Sequence, residues 1–305
     1  MPHLDTFEDG WVLVLAIWGE KFHSGHVNAL VRNVREHSPD CNAAILITDR
    51  PRPDIDPWIT QAPIPAEFDR PEFFRSGYIV KLSVFAAPEL PPRTRCVFLD
   101  LDTLVLGDLG RLARMVRRHE DMLMLPPATV GFNRLSRLIY RLSSGRKFRT
   151  GNSSVIAYSS DGGRALAARY LELYADPETR NAPYLKVDDA FVSWFGQPVL
   201  RDVPRSLAVM LRREFLSRIP FWPTIKTRLP WTIRRRAELG AITLNGVDYK
   251  PEVMLQLADG AVIQDSKGRR GLWSERHFGS LLPRIKALCA ASAAQGPAAS
   301  DSGVR

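Results

Sequence analysis

Cysteine and long apolar runs are both scarce in this sequence. Its three cysteines, Cys41, Cys96 and Cys289, are odd in number and widely spaced, so no disulfide framework or zinc motif follows and a reducing compartment fits. The longest early apolar run, residues 11–18, is far too short to span a membrane. The first nine residues are acidic, unlike a secretory signal. We therefore expect a cytoplasmic protein, either soluble or peripheral on the inner face of a membrane.

Glycine-rich phosphate-binding motifs are absent as well. No Gly-x-Gly-x-x-Gly follows the first apolar run and no Walker loop occurs, which excludes the dinucleotide fingerprint and the P-loop. Acidic residues are outnumbered, because 42 Lys and Arg face 33 Asp and Glu, for a net charge of +9. This excess favours an anionic partner: a phosphorylated substrate, anionic lipid or nucleic acid. A metal and basic side chains are the remaining means of holding phosphates.

The remaining pattern predicts a globular α/β protein of 305 residues, 45% hydrophobic and 25% charged. Residues 11–18 and 43–48 read as buried parallel strands, and an i, i+3, i+4, i+7 apolar pattern between them predicts a helix. This is a βαβ unit, whose ligands lie beyond the carboxyl ends of the strands. Residues 49–70 read as a long loop. The rim on which a nucleoside could dock is formed by Trp18, Gly19, Thr48 and Asp49.

Two carboxylates interrupt the next apolar run, residues 96–106. Strand alternation places Asp100 and Asp102 on one face of a buried strand, where two negative charges repel and need a positive partner. Hard divalent cations such as Mg²⁺ or Mn²⁺ suit carboxylate oxygens, so both residues are predicted metal ligands. Residues 78–87 have a helical pattern that carries Lys81, which is either a mobile cation for a diphosphate or a solvated surface lysine.

An aspartyl-nucleophile phosphatase is an alternative interpretation of this acidic segment. Those enzymes need Asp-x-Asp-x-Thr, whereas Thr103 follows the second aspartate directly, and here about a hundred residues precede the motif. The adjacent Asp188 and Asp189 would supply the metal pair of such a phosphatase.

An ordered set of motifs resembles the nucleotide-sugar glycosyltransferases of the GT-A fold, and within them the bacterial family 8-like enzymes. Residues 78–82 (Tyr-Ile-Val-Lys-Leu) resemble the helix whose basic residue meets the sugar diphosphate, and residues 97–103 resemble the hydrophobic strand ending in Asp-x-Asp. Residues 107–109 (Gly-Asp-Leu) resemble the turn that follows. Residues 150–155 (Thr-Gly-Asn-Ser-Ser-Val) resemble the Asn-Ser-Gly-Val strand, with Ser154 replacing glycine, and Asp188-Asp189 resembles Asp-Gln.

The resemblance implies roles for these residues. Asp102 would bind the metal directly, and Asp100 would bind the metal or the donor ribose. Asn152 and Asp188 would hydrogen-bond the donor sugar, while Asp189 replaces a polar group under the anomeric carbon.

The resemblance extends to a motif near the C-terminal end. The family has His-x-x-Gly followed by Trp, and its His is the third metal ligand. In this chain that position holds Asp265, with Lys267 and Gly268 near the phosphates. A strand-end turn aspartate is the alternative reading of Asp265.

Two basic segments remain. Residues 132–149 contain six Lys or Arg and no acid, and are amphipathic if helical; residues 201–236 contain ten Lys or Arg, two acids and interleaved aromatics. Such composition suits an anionic membrane surface or a lipid-linked or phosphorylated acceptor. A solvated face with a lid is the alternative. Single-stranded nucleic acid also binds such residues, but no nucleic-acid module accompanies them.

The resemblance therefore implies a single GT-A domain over residues 1–285, with a central mostly parallel sheet flanked by helices. A Rossmann-like nucleotide-binding half spans residues 11–110, a sugar and acceptor half spans 111–285, and residues 290–305 form a disordered tail. The implied reaction is metal-dependent, retaining transfer from a UDP-sugar to an acceptor hydroxyl in bacterial surface glycan synthesis. A catalytically silent sugar-nucleotide-binding protein is a further alternative, because the family's His and Gln are replaced.

Overall fold

The computed structural model of this chain describes residues 7–76, 78–127, 131–216, 221–244, 251–264, 268 and 270–294. Its strands, numbered in chain order, are β1 Trp11–Ile17, β2 Cys41–Thr48, β3 Ile59–Pro63, β4 Arg95–Leu99, β5 Thr103–Val105, β6 Met122–Leu125, β7 Asn152–Ser159, β8 Arg201–Asp202, β9 Ala208–Met210, β10 Ala241–Thr243, β11 Val262–Gln264 and β12 Arg270–Leu272.

The helices lie between these strands and after them. The α-helices are α1 Ser24–His37, α2 Pro71–Ser76, α3 Gly110–Ala113, α4 Arg134–Leu142, α5 Ser160–Ala175, α6 Asp188–Gly196, α7 Leu211–Phe215, α8 Phe221–Arg228, α9 Pro230–Ala237, α10 Pro251–Gln256 and α11 Leu282–Ala294. The described residues also form 3₁₀ helices at Ile79–Phe85, Pro183–Leu185, Glu275–His277 and Gly279–Leu281.

A seven-stranded sheet in the order β3-β2-β1-β4-β7-β6-β8 forms the centre of the described chain. Among these strands β7 runs antiparallel to both of its neighbours, and the other pairings are parallel. The predicted βαβ unit is β1, α1 and β2, with β1 and β2 parallel. The predicted fold class, a mostly parallel sheet flanked by helices, is confirmed.

The sheet is buried on both faces, which explains the continuous apolar runs of its strands. Successive residues of β1 alternate between two core layers. Val12 and Val14 pack with the 3₁₀ helix Ile79–Phe85 and with Phe98, whereas Leu13 and Leu15 pack with the apolar face of α1. The sheet therefore has a rigid, two-sided support, and its carboxyl edge is left to carry polar side chains.

Two segments differ from their predicted structure. Residues 49–70 contain β3, an edge strand parallel to β2, in place of an uninterrupted loop. Its Ile59 and Ala62 are buried while Thr60 and Gln61 between them are exposed, so the strand presents too few apolar residues to stand out in the sequence. The helical pattern of residues 78–87 forms a 3₁₀ helix whose seven residues are all buried, including Lys81.

The acidic run, residues 96–106, is two strands rather than one. β4 ends at Leu99 and β5 begins at Thr103, so Asp100 and Asp102 lie in the turn that joins them. The expectation that alternation within one strand places both on one face is therefore wrong. The chain turns because β5 leaves the large sheet and pairs with β10, which also pairs with β9 in a second, three-stranded sheet.

The C-terminal part of the described chain packs on this second sheet. β11 and β12 form an antiparallel hairpin, and the strand predicted at residues 261–265 corresponds to β11. α11 continues to Ala294, so the predicted disorder from residue 290 is wrong for residues 290–294, and residues 295–305 lie outside the described part. Within the described residues, none of the helices combines the length and hydrophobicity needed to cross a bilayer.

Candidate active site

The first candidate region is the rim at the carboxyl ends of β1 and β2, where Trp18, Gly19, Thr48 and Asp49 were predicted to meet. They do lie together, because the backbone N–H of Gly19 donates to Asp49 Oδ2 at 3.1 Å. Gly19 is exposed and has φ of +60°, a left-handed conformation that favours glycine. Trp18 is half-buried against the core beside it. The nucleoside role of this rim stays a prediction.

Arg52 holds the rim together, and sequence reasoning did not find it. Its guanidinium is buried and donates to Asp49 Oδ1 at 2.6 Å and to the Gly19 carbonyl at 3.0 Å. Burial alone would raise the pKa of Asp49, but the hydrogen bond and charge of Arg52 outweigh it and the pKa is lowered. Asp49 is therefore an ionised carboxylate in a fixed position.

The second region is the turn between β4 and β5. Two hydrogen bonds fix its backbone: Asp100 N–H donates to the Ser154 carbonyl of β7 at 2.9 Å, and the N–H of Leu244, directly after β10, donates to the Asp102 carbonyl at 2.8 Å. Thr103 N–H donates to the Asp100 carbonyl at 3.1 Å and closes the turn. The two carboxylates therefore project from a backbone that is held on both sides.

Lys81 is the centre of a buried charge network beside this turn. Its ammonium lies 2.8 Å from Asp100 Oδ1, 2.8 Å from Ser153 Oγ and 3.4 Å from Asp188 Oδ2. Burial works against the charge of Lys81, but the attraction of Asp100, Asp188 and Asp189 exceeds it and the pKa is raised. The lysine is thus neither solvated nor mobile, the two states expected from the sequence, because its ammonium is held between carboxylates.

Asp102 differs from Asp100, because no described lysine or arginine forms an ion pair with its side chain. Its Oδ1 is buried and accepts no hydrogen bond from any described residue. Burial, and then the nearby charge of Asp100, raises the pKa of Asp102 to about 6, while Lys21 and Lys81 partly oppose the shift. A buried carboxylate oxygen without a partner is costly, and a bound cation would remove that cost.

Asp188 and Asp189 begin α6 and face the same network. The Ser153 hydroxyl donates to Asp188 Oδ2 at 2.5 Å, and the Ser153 N–H donates to Asp189 Oδ1 at 2.6 Å. Burial and the adjacent charge of Asp188 raise the pKa of Asp189 to about 6. The structure therefore brings Asp188 and Asp189 close to the Asp100 turn through Ser153, a residue of the quoted 150–155 motif to which no role had been given.

Asn152 is the first residue of β7 and lies opposite Leu125 of β6. Its Oδ1 accepts from Ser154 N–H at 3.3 Å. The preceding Gly151 allows the two strands to approach closely, because a Cβ there would lie 2.6 Å from the Leu125 carbonyl oxygen. Asn152 is thereby placed at the carboxyl edge of the sheet, at the start of the strand that contains Ser153.

The residues present fit a hard divalent cation in part. Asp100 and Asp102 supply carboxylate oxygens, which are the ligands that Mg²⁺ and Mn²⁺ prefer. Within the described ranges no group of three or more His, Cys, Asp or Glu side chains is arranged around a common point. The third predicted ligand, Asp265, and the predicted phosphate contact Lys267 lie outside the described residues. Gly268 is described and has φ of +72°, which suits a tight turn after β11.

Comparisons with known proteins bear on the fold. No protein-family model and no curated protein matches the sequence. Among solved structures, the galactosyltransferase LgtC in complex with donor and acceptor sugar analogues is similar at a TM-score of 0.51 and 12% identity, covering 92% of this chain and 95% of that one. The chain has the GT-A glycosyltransferase fold. The bifunctional glycosyltransferase WbbM shares this GT-A fold at a TM-score of 0.53 and 12% identity, covering 93% of this chain and 52% of WbbM.

Proposed function

We propose that this chain transfers a glycosyl group from a nucleotide sugar, namely a UDP-sugar, to an acceptor hydroxyl. The observation that carries the proposal is the buried Oδ1 of Asp102, which accepts no hydrogen bond from a described residue and lies beside Asp100 in a turn at the carboxyl edge of a GT-A sheet. The GT-A fold is compatible with glycosyl transfer, and function must be argued from the site. The acidic turn supplies carboxylate oxygens for the cation that this reaction would use.

A divalent cation, Mn²⁺ or Mg²⁺, would be held by Asp102 and Asp100, with Asp265 as a third ligand. When bound, such an ion neutralises charge on a departing diphosphate. Lys81 keeps Asp100 in place through its 2.8 Å ion pair. Lys267 and Gly268 would contact the donor phosphates, and the rim of Trp18, Gly19, Thr48 and Asp49 would hold the nucleoside.

The sugar-binding residues would be those linked through Ser153. Asn152 and Asp188 would form hydrogen bonds with the hydroxyls of the donor sugar. Asp189 would face the anomeric carbon. The pKa of Asp189 near 6 leaves it mostly ionised at neutral pH, so it can stabilise positive charge that develops on the sugar ring. We propose retention of the anomeric configuration, which rests on the family 8-like motifs.

The experiment is a thermal-shift panel of UDP-, GDP- and CDP-sugars with and without Mn²⁺. A bound UDP-sugar should raise the melting temperature, because a ligand that binds only the folded state stabilises it. This shift should require the metal, because the proposed cation would hold the diphosphate of the donor. Asp102→Asn should abolish the shift, whereas the matched control Glu172→Gln, on the exposed side of α5, should keep it. Unchanged donor and metal binding by Asp102→Asn would refute the site assignment.

Two other outcomes would replace the proposal. Release of phosphate from a generic phosphate ester with Mg²⁺, without any nucleotide sugar, would favour an aspartyl phosphatase. Metal-dependent donor binding without transfer or donor hydrolysis would favour a silent sugar-nucleotide-binding protein.

The acceptor would be a glycan or a lipid-linked molecule of a bacterial surface glycan pathway, met at the inner face of an anionic membrane. Support comes from α8 and α9, whose basic residues alternate with large exposed apolar side chains. Those apolar side chains are Phe221, Trp222, Ile225, Trp231 and Ile233.

Vesicle co-sedimentation tests the membrane contact. The chain should bind phosphatidylcholine vesicles that contain phosphatidylglycerol at low salt, and the double variant Trp222→Ser/Trp231→Ser should bind more weakly because both indoles are at least half exposed. Absence of binding to the anionic vesicles at low salt would remove the membrane contact from the proposal.

A further inference from the structure

A cavity of about 300 Å³ lies beside β9, outside the acidic turn. Leu125, Pro126 and Met210 form part of its apolar wall, and Arg205, Arg213 and Glu214 form its charged side. Its volume is at the lower end of the range for small-molecule sites and is enough for a single sugar ring. The wall is thus apolar on one side, and on the other it carries two arginines and one glutamate.

Strand pairing places this cavity close to the proposed reaction centre. Met210 is opposite Thr243 of β10, and Thr243 is opposite Thr103, the residue directly after Asp102. Two strand spacings separate Met210 from the acidic turn, or about 10 Å. On the other wall, Leu125 is opposite Asn152. A molecule in the cavity would therefore have one end within reach of a donor sugar.

The basic side of the cavity is built around one buried carboxylate. The Glu214 side chain is fully buried and contacts four cationic side chains. These are Arg205 at 3.0 Å, Lys226 at 3.0 Å, Arg235 at 2.5 Å and Arg236 at 2.8 Å. Burial opposes the charge of Glu214, but these cations outweigh it and lower its pKa to about 2. Among the described residues four cations contact this one carboxylate, and Arg213, which donates to the Pro126 carbonyl, lines the same cavity.

The cationic groups around Glu214 are close enough to repel one another. Burial lowers the pKa values of Lys226 and Arg236, Glu214 raises them in part, and the neighbouring arginines lower them further. Among the described residues, four cations surround one carboxylate, so this cluster carries net positive charge. A further anion at the cavity would supply the missing negative charge.

We propose that this cavity binds a phosphate group carried by the acceptor, with Arg205 and Arg213 as its ligands. That the phosphate belongs to the acceptor rests on the proposed function. That the cavity binds a phosphate rests on the cavity itself and on its charges. Arginine suits this role because its planar fork pairs with two phosphate oxygens at once. A phosphate monoester matches the excess charge better than a carboxylate, which carries a single negative charge.

The test uses the full chain in EDTA, without donor or metal, and three probes: glucose 6-phosphate, glucuronate and glucose. Isothermal titration at constant ionic strength should give binding in the order glucose 6-phosphate, glucuronate, glucose. Arg205→Gln should weaken glucose 6-phosphate about ten- to a hundred-fold, which corresponds to one lost charge-assisted contact. Its side chain is 58% exposed, so the variant should fold.

Arg213→Gln should weaken glucose 6-phosphate in the same way, and it serves as the second variant if Arg205→Gln unfolds. The matched control is Arg169→Gln, an exposed arginine of α5 that pairs only with Glu172 among the ion pairs described. Equal affinity in the two cavity variants and in the control would overturn the proposal. If glucuronate binds as tightly as glucose 6-phosphate, the site is one for carboxylates and the phosphate assignment is overturned. If neither probe binds, the proposed site is refuted.

The same titration separates this proposal from the proposed function. Asp102→Asn should bind glucose 6-phosphate as wild type does, because the cavity is separate from the acidic turn. Displacement of glucose 6-phosphate by UDP in EDTA would assign the arginines to the donor and overturn an acceptor site. If donor binding fails while Arg205-dependent phosphate binding holds, the cavity stands and the transferase assignment falls.

Discussion

Replacement of Lys81 by methionine tests the charge network most directly. Methionine has nearly the same volume, so the change removes the ammonium that Asp100, Ser153 and Asp188 contact while the packing is largely retained. Only 9% of the residue's surface is exposed, so water replaces the lost contacts poorly. Removing one partner of a buried ion pair costs about 3–5 kcal/mol. That is a large share of a typical total of about 5–15 kcal/mol.

The pH dependence gives this prediction its sign. The pKa of Lys81 is raised above its ordinary value of 10.5, so its contribution is complete below that value and constant between about pH 5 and about pH 8 in the wild type. In Lys81→Met the carboxyls of Asp102 and Asp189 lose a nearby cation that holds their pKa values down, so these values should rise above about 6. The folded variant then favours protonated carboxyls, so its stability should fall as the pH rises from about 5 to about 8.

Urea denaturation followed by tryptophan fluorescence measures the effect. Lys81→Met should lose about 3–5 kcal/mol at about pH 8 and clearly less at about pH 5, and Lys186→Met, an exposed control, should lose almost nothing. In the double variant Lys81→Met/Asp188→Asn part of the loss should be recovered, because one unpaired carboxylate is gone. A loss below about 1 kcal/mol, or one independent of pH, would refute the account of the network.

Three further predictions concern the turn, the basic cluster and the strand edge. In EDTA at about pH 8, Asp102→Asn should be about 1–3 kcal/mol more stable than wild type in urea, because a pKa raised from 3.8 to about 6 destabilises the ionised form; a gain that persists at about pH 4 would contradict this. Glu214→Gln should cost about 3–5 kcal/mol in thermal unfolding. Since the pKa of Glu214 is lowered from 4.5 to about 2, the deficit should be constant above about pH 5 and shrink only in acid; a deficit that shrinks near neutrality would be inconsistent with it. Gly151→Ala should cost about 1–3 kcal/mol, since its Cβ would lie 2.6 Å from the Leu125 carbonyl, and an unchanged melting temperature would rule this out.

The sequence predicted the parts of the fold that depend on local pattern. The runs in β1 and β2 and the spacing of α1 are decided within a few residues, so the βαβ unit follows from them. β3 was missed because an edge strand with two buried residues has little pattern to read. The turn at Asp100 was missed because its cause lies far along the chain, in the pairing of β5 with β10.

In the candidate site too, the sequence motifs identified individual residues, whereas the contacts between distant residues became visible only in the structure. The motifs named Asp100, Asp102, Asp188 and Asp189 in the correct order along the chain. No local pattern indicates that Lys81 is buried beside them, because its partners lie far along the chain: Asp100 is 19 residues away, Ser153 is 72 and Asp188 is 107. The Glu214 cluster was visible only as a basic composition, and the single acid that organises it is distinguished by its burial alone.

The three-stranded sheet has a consequence for how substrate preference can change. β10 pairs with β5 on one side and β9 on the other, so the gap between the Asp100–Asp102 turn and the arginine-lined cavity is set by backbone hydrogen bonds. Exchanging side chains on α7 would alter which molecule is accepted while leaving that gap the same. With the proposed function, a lineage of such proteins would be free to diversify its products without rebuilding the frame that would align donor and acceptor.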